Sequence, residues 1–454
     1  MNSVFCDYKV QFKVFFVGIG GISMSALAVM LKEKGFIVSG YDKNESETTA
    51  RLEKLGIPVN RPNDLEECDI AVVSSAIADD DPIKVRLVGM KKAVVSRGWL
   101  LARLAECYPM SAGVAGTHGK TTCVCILAHI LKCAGKHFTL HVGGEDSLFG
   151  NAYSSGDELF LTEVCEYKRN IAHFSPDIGV VLNIDDDHEE SYGSFENIVS
   201  EFNEFLSRGR TAIVNYDDDN LNKSGAVTFS YSNTAADYYA GDIKFDGVTL
   251  ECAVFGHGAR LFEISTAFLR PHDVYNILAA TAVACELGIA PVDIGNGITD
   301  FRGVKRRNEY LGDYCGKPVY ADYAHHPKQV ETAVNEYKER FGENVRILFQ
   351  SHTYSRTARL MDDFARALSP CKSVKLFETY AAREKFNEAG SYKKLGYKLK
   401  NATLCDGEEG IVNAFEDDKI QVSAYVVLGA GDLYDKVKLF LKEKSNAVKN
   451  QKKI

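Results

Sequence analysis

The 454-residue sequence has no run of about eighteen uninterrupted apolar residues, the length a helix needs to cross a bilayer, so no membrane partner is expected. It also lacks an excess of positive charge. Lys and Arg number 53 against 62 Asp and Glu, a formal net charge of −9, and such a chain is a poor non-specific ligand for nucleic acid. Nor does the N-terminus, MNSVFCDYKVQFKVFFVG, have the layout of a secretory signal. Its apolar run passes straight into a glycine loop and reads as a first strand. None of the twelve cysteines forms a CxxC pair, and Cys123 and Cys125 are not at zinc spacing. Reduced thiols in a cytoplasmic protein are the expectation. With 45% hydrophobic and 25% charged residues, the composition is that of a globular chain and excludes global disorder.

What is present is a series of apolar runs separated by helical stretches. FKVFFV (12–17), FIVSGYD ending at Asp42, AVVSS (71–75) and AVVS (93–96) read as strands of a first parallel sheet, followed by a helix over 97–107. A second unit opens at MSAGVAG (110–116). It continues through ELFLTEV, ending at Glu163, and DIGVVLNI, running into Asp185 and His188; its later part, roughly 226–265, alternates like antiparallel strands. The third unit carries KPVYADY, VRILFQS, SVKLFET and AYVVLGA. The expected fold is α/β in three domains, each on a largely parallel sheet with flanking helices: 1–107, 108–304 and 305–454. Polar residues close most of these strands, the place where ligands sit in open parallel sheets.

Two glycine loops carry the strongest chemistry. The first, Gly18-Ile19-Gly20-Gly21-Ile22-Ser23, is close to GxGxxG with serine in the third glycine place, and Asp42 lies one βαβ unit later. Its amides suit a diphosphate, in a dinucleotide or in a UDP group. The second, Gly116-Thr117-His118-Gly119-Lys120-Thr121-Thr122, is a compact GTxGKT; the glycine of a standard P-loop would fall on Val114. Lysine after glycine supplies a point charge for β- and γ-phosphates, and the following threonine hydroxyl suits Mg²⁺. Glu163 and His188, at the ends of neighbouring strands, fall beside Thr121. Glu163 with Thr121 is a natural oxygen pair for Mg²⁺. In the third unit, Asp322-Tyr323-Ala324-His325-His326-Pro327 and Gln350-Ser351-His352-Thr353-Tyr354-Ser355-Arg356 bring histidines and an arginine that could receive a carboxylate.

Together these motifs resemble the Mur ligases of peptidoglycan synthesis. The resemblance covers nearly the whole chain: GIGGISMSALA (18–28), VVSSAI (72–77), AGTHGKTT (115–122), EVCEY (163–167), NIDDDH (183–188), HDVYNILAA (272–280), FRGVKRRNE (301–309), DYAHHP (322–327), FQSHTYSRT (349–357), YAARE (380–384) and GAGD (429–432). It implies a Rossmann-like first domain, a P-loop ATPase-like middle domain and a Rossmann-like third domain. It also implies ATP- and Mg²⁺-dependent ligation, in which the lactyl carboxylate of UDP-N-acetylmuramate becomes an acyl phosphate and is attacked by an amino acid's amine. Under the resemblance Lys120 stabilises the transferring phosphoryl group, and Thr121, Glu163 and His188 hold metal. Gly116 to Thr122, Asn276, Arg307 and Asp322 contact ATP. Gly18, Gly20, Gly21, Ser23, Asp42 and Ser74 hold the UDP substrate, and Tyr323, His325, His326, His352 and Arg356 form the amino-acid pocket, with Arg356 on the carboxylate.

Residues 169–222 contain no lysine. Ligases for later amino acids typically carry a carbamoylated lysine there, so the expectation is the alanine-adding branch, taking L-alanine, as monomer or homodimer. A murein tripeptide recycling ligase, or a ligase with another acceptor, is the alternative. An NAD-dependent oxidoreductase is disfavoured by GTHGKT. Several flanking positions depart from the family's usual pattern: Asp273 for Asn after His272, Ala321 for the first Asp before Tyr323, Ser351 for Pro in Gln-Pro-His, Glu189 for Leu after His188, and Asn170-Ile171-Ala172 for Ser-Phe-Leu.

Overall fold

The computed structural model describes residues 5–6, 11–61, 64–185, 192–382, 384–417 and 421–451. His188 and Glu189 therefore lie outside the described residues. Three sheets organise the chain. The first contains β1 (Lys13–Val17), β2 (Ile37–Tyr41), β3 (Ile70–Val73) and β4 (Ala93–Ser96), all parallel, in the order β2-β1-β3-β4. Along β1, Val14 and Phe16 enter one apolar cluster and Phe15 and Val17 another. Strand side chains alternate faces, so an unbroken apolar run is what a sheet covered on both sides requires.

The middle sheet has ten strands: β5 (Ser111–Ala115), β6 (Phe138–Asp146), β7 (Gly150–Ser154), β8 (Leu159–Glu163), β9 (Ile178–Val181), β10 (Thr211–Asn215), β11 (Val227–Ser230), β12 (Tyr238–Phe245), β13 (Leu250–Gly256) and β14 (Ala259–Thr266). Their order is β14-β13-β12-β11-β10-β9-β5-β8-β6-β7. β12, β13 and β14 pair antiparallel, as the alternation over 226–265 leads one to expect, but β11 pairs parallel with both β10 and β12. The helix Lys120–Cys133 follows β5. Its Val124, Ile126, Leu127, Ile130 and Leu131 are fully buried, and it stops at Ala134-Gly135, where Gly135 at φ +65° turns the chain.

The third sheet contains β15 (Glu309–Tyr314), β16 (Lys317–Asp322), β17 (Val345–His352), β18 (Ser373–Tyr380), β19 (Ala402–Cys405) and β20 (Ala424–Leu428), ordered β15-β16-β20-β17-β18-β19. Only the edge strand β15 runs antiparallel to its neighbour. The chain divides into two compact units, Met1–Arg302 and Gly303–Ile454, so the first two sheets share a unit. Among the described residues no helix is long and apolar enough to cross a membrane.

The expectation that all cysteines are reduced thiols is corrected at one pair. Cys6 is disulfide-bonded to Cys107 across 101 residues of sequence. Phe5 explains the pairing: it is 1% exposed and packs on Phe12, Phe36 and Trp99, which seats Cys6 beside the end of the helix Arg97–Ala105. No local spacing signals such a contact. The other ten cysteines are free.

Candidate active site

The second glycine loop leaves β5 at the carboxyl edge of the middle sheet and is sewn to the strand end beside it. Thr117 N donates to Asn183 O at 3.0 Å, His118 N donates to Asn183 Oδ1 at 2.8 Å, and Asn183 Nδ2 returns a bond to His118 O. Asp185 N donates to Thr117 Oγ1 at 2.9 Å, and the His118 ring meets the Asp185 carboxylate at 3.1 Å. Gly119 sits at φ +86°, and a Cβ there would come within 2.4 Å of Asn276 Oδ1. Glycine is thus required twice over, for the left-handed turn and for the approach of Asn276.

Lys120 opens the helix. Its ammonium donates to the carbonyls of Gly116 and Thr117 and to Glu166 Oε1 at 3.1 Å. Burial opposes that charge, but Glu166, helped by Cys165 and Glu163, outweighs it and holds the lysine above its ordinary range. The ammonium is therefore a fixed cation at the loop where the β/γ-phosphates of a nucleotide would lie. One residue on, the Thr121 hydroxyl donates to Glu163 Oε2 at 2.6 Å. Thr122 completes the same first turn. A hydroxyl and a carboxylate at hydrogen-bond distance form a hard oxygen donor pair, which fits Mg²⁺. Among the described residues no group of three His, Cys, Asp or Glu side chains is arranged to hold a metal.

The first glycine loop lies at the carboxyl edge of the first sheet. Gly18 N and Ile19 N donate to Tyr41 O, Gly21 N closes a turn on Gly18 O, and Gly20 N donates to Asp42 Oδ2 at 2.8 Å. Asp42 is thus committed to a loop amide. Ser74 N donates to Val17 O, which sets the end of β3 against the loop. The Ser23 side chain turns to the middle domain: its Oγ lies 2.8 Å from His141 Nε2 and accepts from Arg97 Nη1 at 3.0 Å.

In the third unit, Asp322 Oδ2 accepts from Asn308 N and Oδ1 from Ala324 N, both at 2.9 Å. Burial pushes its carboxyl above the usual range, against the pull of Arg307 and these two amides. The Arg307 guanidinium lies 5.0 Å from the centre of the Tyr323 ring. Tyr323, His325 and His352 form a ring chain, with centroids 5.1 and 6.2 Å apart. His325 Nδ1 is bonded to Tyr323 O at 2.9 Å. Burial and then Arg356 lower His325 to about 3 and His352 to about 4, so both rings are neutral. His352 Nδ1 is buried without a hydrogen-bond partner among the described residues. Glu384 receives the N–H of Ser355 at 2.8 Å. His326 instead stands at the start of the helix Pro327–Phe341, its N–H on Gln329 Oε1.

Most of the described departures have structural explanations. Asp273 accepts from Arg270 N and from Asn276 Nδ2 at 2.9 Å, which fixes the amide that faces Gly119. Asn170 Oδ1 accepts from Gly98 N and its Nδ2 donates to Ser75 Oγ, both at 3.1 Å, tying the middle domain to the first. Ser351 Oγ donates to Thr379 Oγ1 at 3.0 Å inside the third domain. Ala321 packs in an apolar cluster with Val319, Leu348 and Val427.

Comparison with known proteins matches residues 13–108 to the "Mur ligase family, catalytic domain" and residues 114–284 to the "Mur ligase middle domain". The UDP-N-acetylmuramate–L-alanine ligase of Clostridium novyi (strain NT) is 34% identical, with 95% of this chain and 98% of that protein covered. The enzyme of the same name from Caldicellulosiruptor saccharolyticus is 36% identical over 94% and 98%. The chain belongs to the Mur ligase family. The crystal structure of the UDP-N-acetylmuramate–alanine ligase of Thermotoga maritima superposes on this Mur ligase with a TM-score of 0.81, at 27% identity, over 96% and 99% of the two chains. The murein peptide ligase of Psychrobacter arcticus, at 20% identity and a TM-score of 0.74, shares the fold. Residues that are not among the candidates are bonded to the loop residues or to one another beside them: Arg97, His141, Thr162 and Glu166. Glu166 falls within EVCEY; His141 is a lone histidine in an apolar run, with no sequence signal.

Proposed function

We infer that this chain is an ATP-dependent ligase that joins L-alanine to the lactyl carboxylate of UDP-N-acetylmuramate through an acyl phosphate, in peptidoglycan precursor synthesis. The observation that carries the reading is the Lys120 ammonium beside the Thr121–Glu163 pair at one sheet edge, in a chain that matches alanine ligases over nearly its full length. Joining two anions through a phosphoryl group requires positioning and charge neutralisation. Lys120 meets the phosphoryl oxygens, and the amides of Gly116 to Thr122 cradle the chain of phosphates at the helix start. Thr121 and Glu163, with His188 as a third ligand, would hold Mg²⁺, which neutralises phosphate charge when bound.

The first loop, Gly18 to Ser23 with Asp42 and Ser74, takes the UDP substrate. Asn276 faces the adenine, and Arg307 and Asp322 contact ATP from the third domain. Tyr323, His325, His326 and His352 line the amino-acid pocket, where the neutral His325 and His352 rings leave the Arg356 guanidinium as the cation beside them. Domain limits at 107/108 and 304/305, and a cytoplasmic location beside the ATP and UDP-sugar pools, belong to the same reading.

Phosphate release from ATP with Mg²⁺ and UDP-N-acetylmuramate, scanned over L-alanine, glycine, L-serine and a murein tripeptide, tests it. Release dependent on L-alanine, with an amide product by mass and loss on adding EDTA, is expected. Release only with the tripeptide would assign the recycling reaction. No release with any acceptor would overturn the reading.

A further inference from the structure

His141 lies on β6, fully buried, bonded to Ser23 on one side and to Thr162 on the other. One arrangement of protons satisfies all the side-chain hydrogen bonds around it. Thr162 Oγ1 donates its single proton to Glu163 O at 3.0 Å, so toward His141 it can only accept. His141 Nδ1, 2.8 Å away, therefore carries the ring's hydrogen and donates it. The ring is neutral: burial and then Arg97 lower it to about 3. Nε2 is then an acceptor, and the Ser23 hydroxyl 2.8 Å away donates to it. That leaves the Ser23 lone pairs to receive Arg97 Nη1 at 3.0 Å. The bonds Arg97–Ser23–His141–Thr162–Glu163 O all run in one direction, and Arg97 spends only Nη1 on them.

Arg97 opens the helix after β4, and Ser23 stands in the first turn of the helix after the first glycine loop. Both are at the carboxyl edge of the first sheet. Arg97 has no carboxylate partner among the described residues, and it is half-buried. A half-buried guanidinium without a counter-ion, held at a glycine loop, is built to receive an anion.

We propose that His141 is a positioning residue: through Ser23 it aims Arg97 at the anionic part of the UDP substrate, from a strand of the middle domain. This rests on the reading that the first loop holds that substrate. The device makes the sugar-nucleotide site depend on a residue outside its own domain. Removing the ring's acceptor lets the Ser23 hydroxyl turn, and Arg97 loses its fixed partner.

The test is a double-mutant cycle read by calorimetric binding of UDP-N-acetylmuramate and, separately, of ADP. His141→Phe keeps the ring shape without hydrogen bonds. It is expected to weaken UDP-N-acetylmuramate about tenfold and to leave ADP within about twofold, the ADP value reporting an intact fold. Arg97→Ala is expected to weaken the same ligand at least as much, and Arg97→Ala/His141→Phe no more than Arg97→Ala alone, since residues acting as one unit are non-additive. His141→Gln, whose amide oxygen can accept from Ser23, is expected to recover part of the loss. Additive effects, or equal weakening of both ligands by His141→Phe, would overturn the positioning role. Should His141→Phe not fold, the proposal stands or falls on His141→Gln with Ser23→Ala: equal loss on both ligands, or no loss with either variant, overturns it. An Arg97→Ala protein that binds UDP-N-acetylmuramate unchanged would overturn the proposal, whereas a wild-type protein that binds ADP but not UDP-N-acetylmuramate would overturn the first-loop reading itself.

Discussion

Lys120 and Glu166 form a buried pair whose members have separable roles. In the proposed function the lysine meets the phosphates; the glutamate, 4% exposed, keeps it charged. Lys120→Ala should abolish phosphate release while the protein remains folded, with a lowered Tm because Glu166 is left buried without its partner. Adding Glu166→Gln should restore Tm and not turnover, checked by scanning calorimetry and phosphate assay on the three proteins. In the third domain, the proposed amino-acid pocket has Arg356 as the cation beside the neutral His325 and His352. Arg356→Ala should raise the KM for L-alanine by about 10- to 100-fold, the worth of a hydrogen-bonded charge at about 1.5–3 kcal/mol, and move that for ATP far less. Equal shifts in steady-state kinetics would rule out a carboxylate contact.

At the scale of elements, close approach of neighbouring strands places Glu163, the carboxylate proposed to hold Mg²⁺. β6 and β8 pair in parallel, and a Cβ on Gly143 would stand 2.0 Å from Glu163 Oε1. Gly143→Ala must therefore push Glu163 away from Thr121. The Mg²⁺ concentration for half-maximal phosphate release should rise by about tenfold or more, the usual effect of disturbing a ligand's support. Asn170 acts at another junction. It closes the amino end of the helix Arg97–Ala105 from outside, where Ser96 Oγ already takes Trp99 N. Asn170→Ala should cost about 1–2 kcal/mol by leaving the Gly98 N–H unmet, read as a lower urea midpoint with unchanged slope. Lys168 and Arg169 just before it hold positive φ angles of 50° and 56°, a turn that brings Asn170 to Gly98.

For the whole molecule, the Cys6–Cys107 cross-link spans 101 residues and encloses the entire first sheet. Loop-closure entropy for such a span is worth about 4.7 kcal/mol, and native disulfides typically contribute about 2–5 kcal/mol. Cys107→Ser should lower Tm in oxidising buffer, and dithiothreitol should bring the wild-type protein down to the same value. A wild-type Tm indifferent to dithiothreitol would show that the bond does not form in solution. The cross-link also separates two kinds of cysteine here: Cys123 and Cys125 are buried in the P-loop helix and act as small apolar residues, with burial raising both thiols.

The sequence by itself determined what is local and periodic. Unbroken apolar runs set the buried parallel strands, GTHGKT set the phosphate loop, and the polar residues closing β8, β16 and β17 set where Glu163, Asp322 and His352 stand, because a parallel strand delivers its last residues to one edge. The edge strands β7, β15 and β19 were not legible in the apolar runs: they are short or half-exposed, and pairing rather than composition makes them strands. Only the tertiary structure decided the partners of groups far apart in the chain. Ser23 reads as a diphosphate residue from its loop and is bonded to His141 and Arg97; Asp42 reads as a nucleoside contact and holds the Gly20 amide; Asn170 and Asp273 read as departures and are hydrogen-bonded supports; Cys6 finds Cys107. The reason is the same in each case. A side chain's type fixes which bonds it can make, and the packing of sheets and helices alone fixes which partner stands within 3 Å of it.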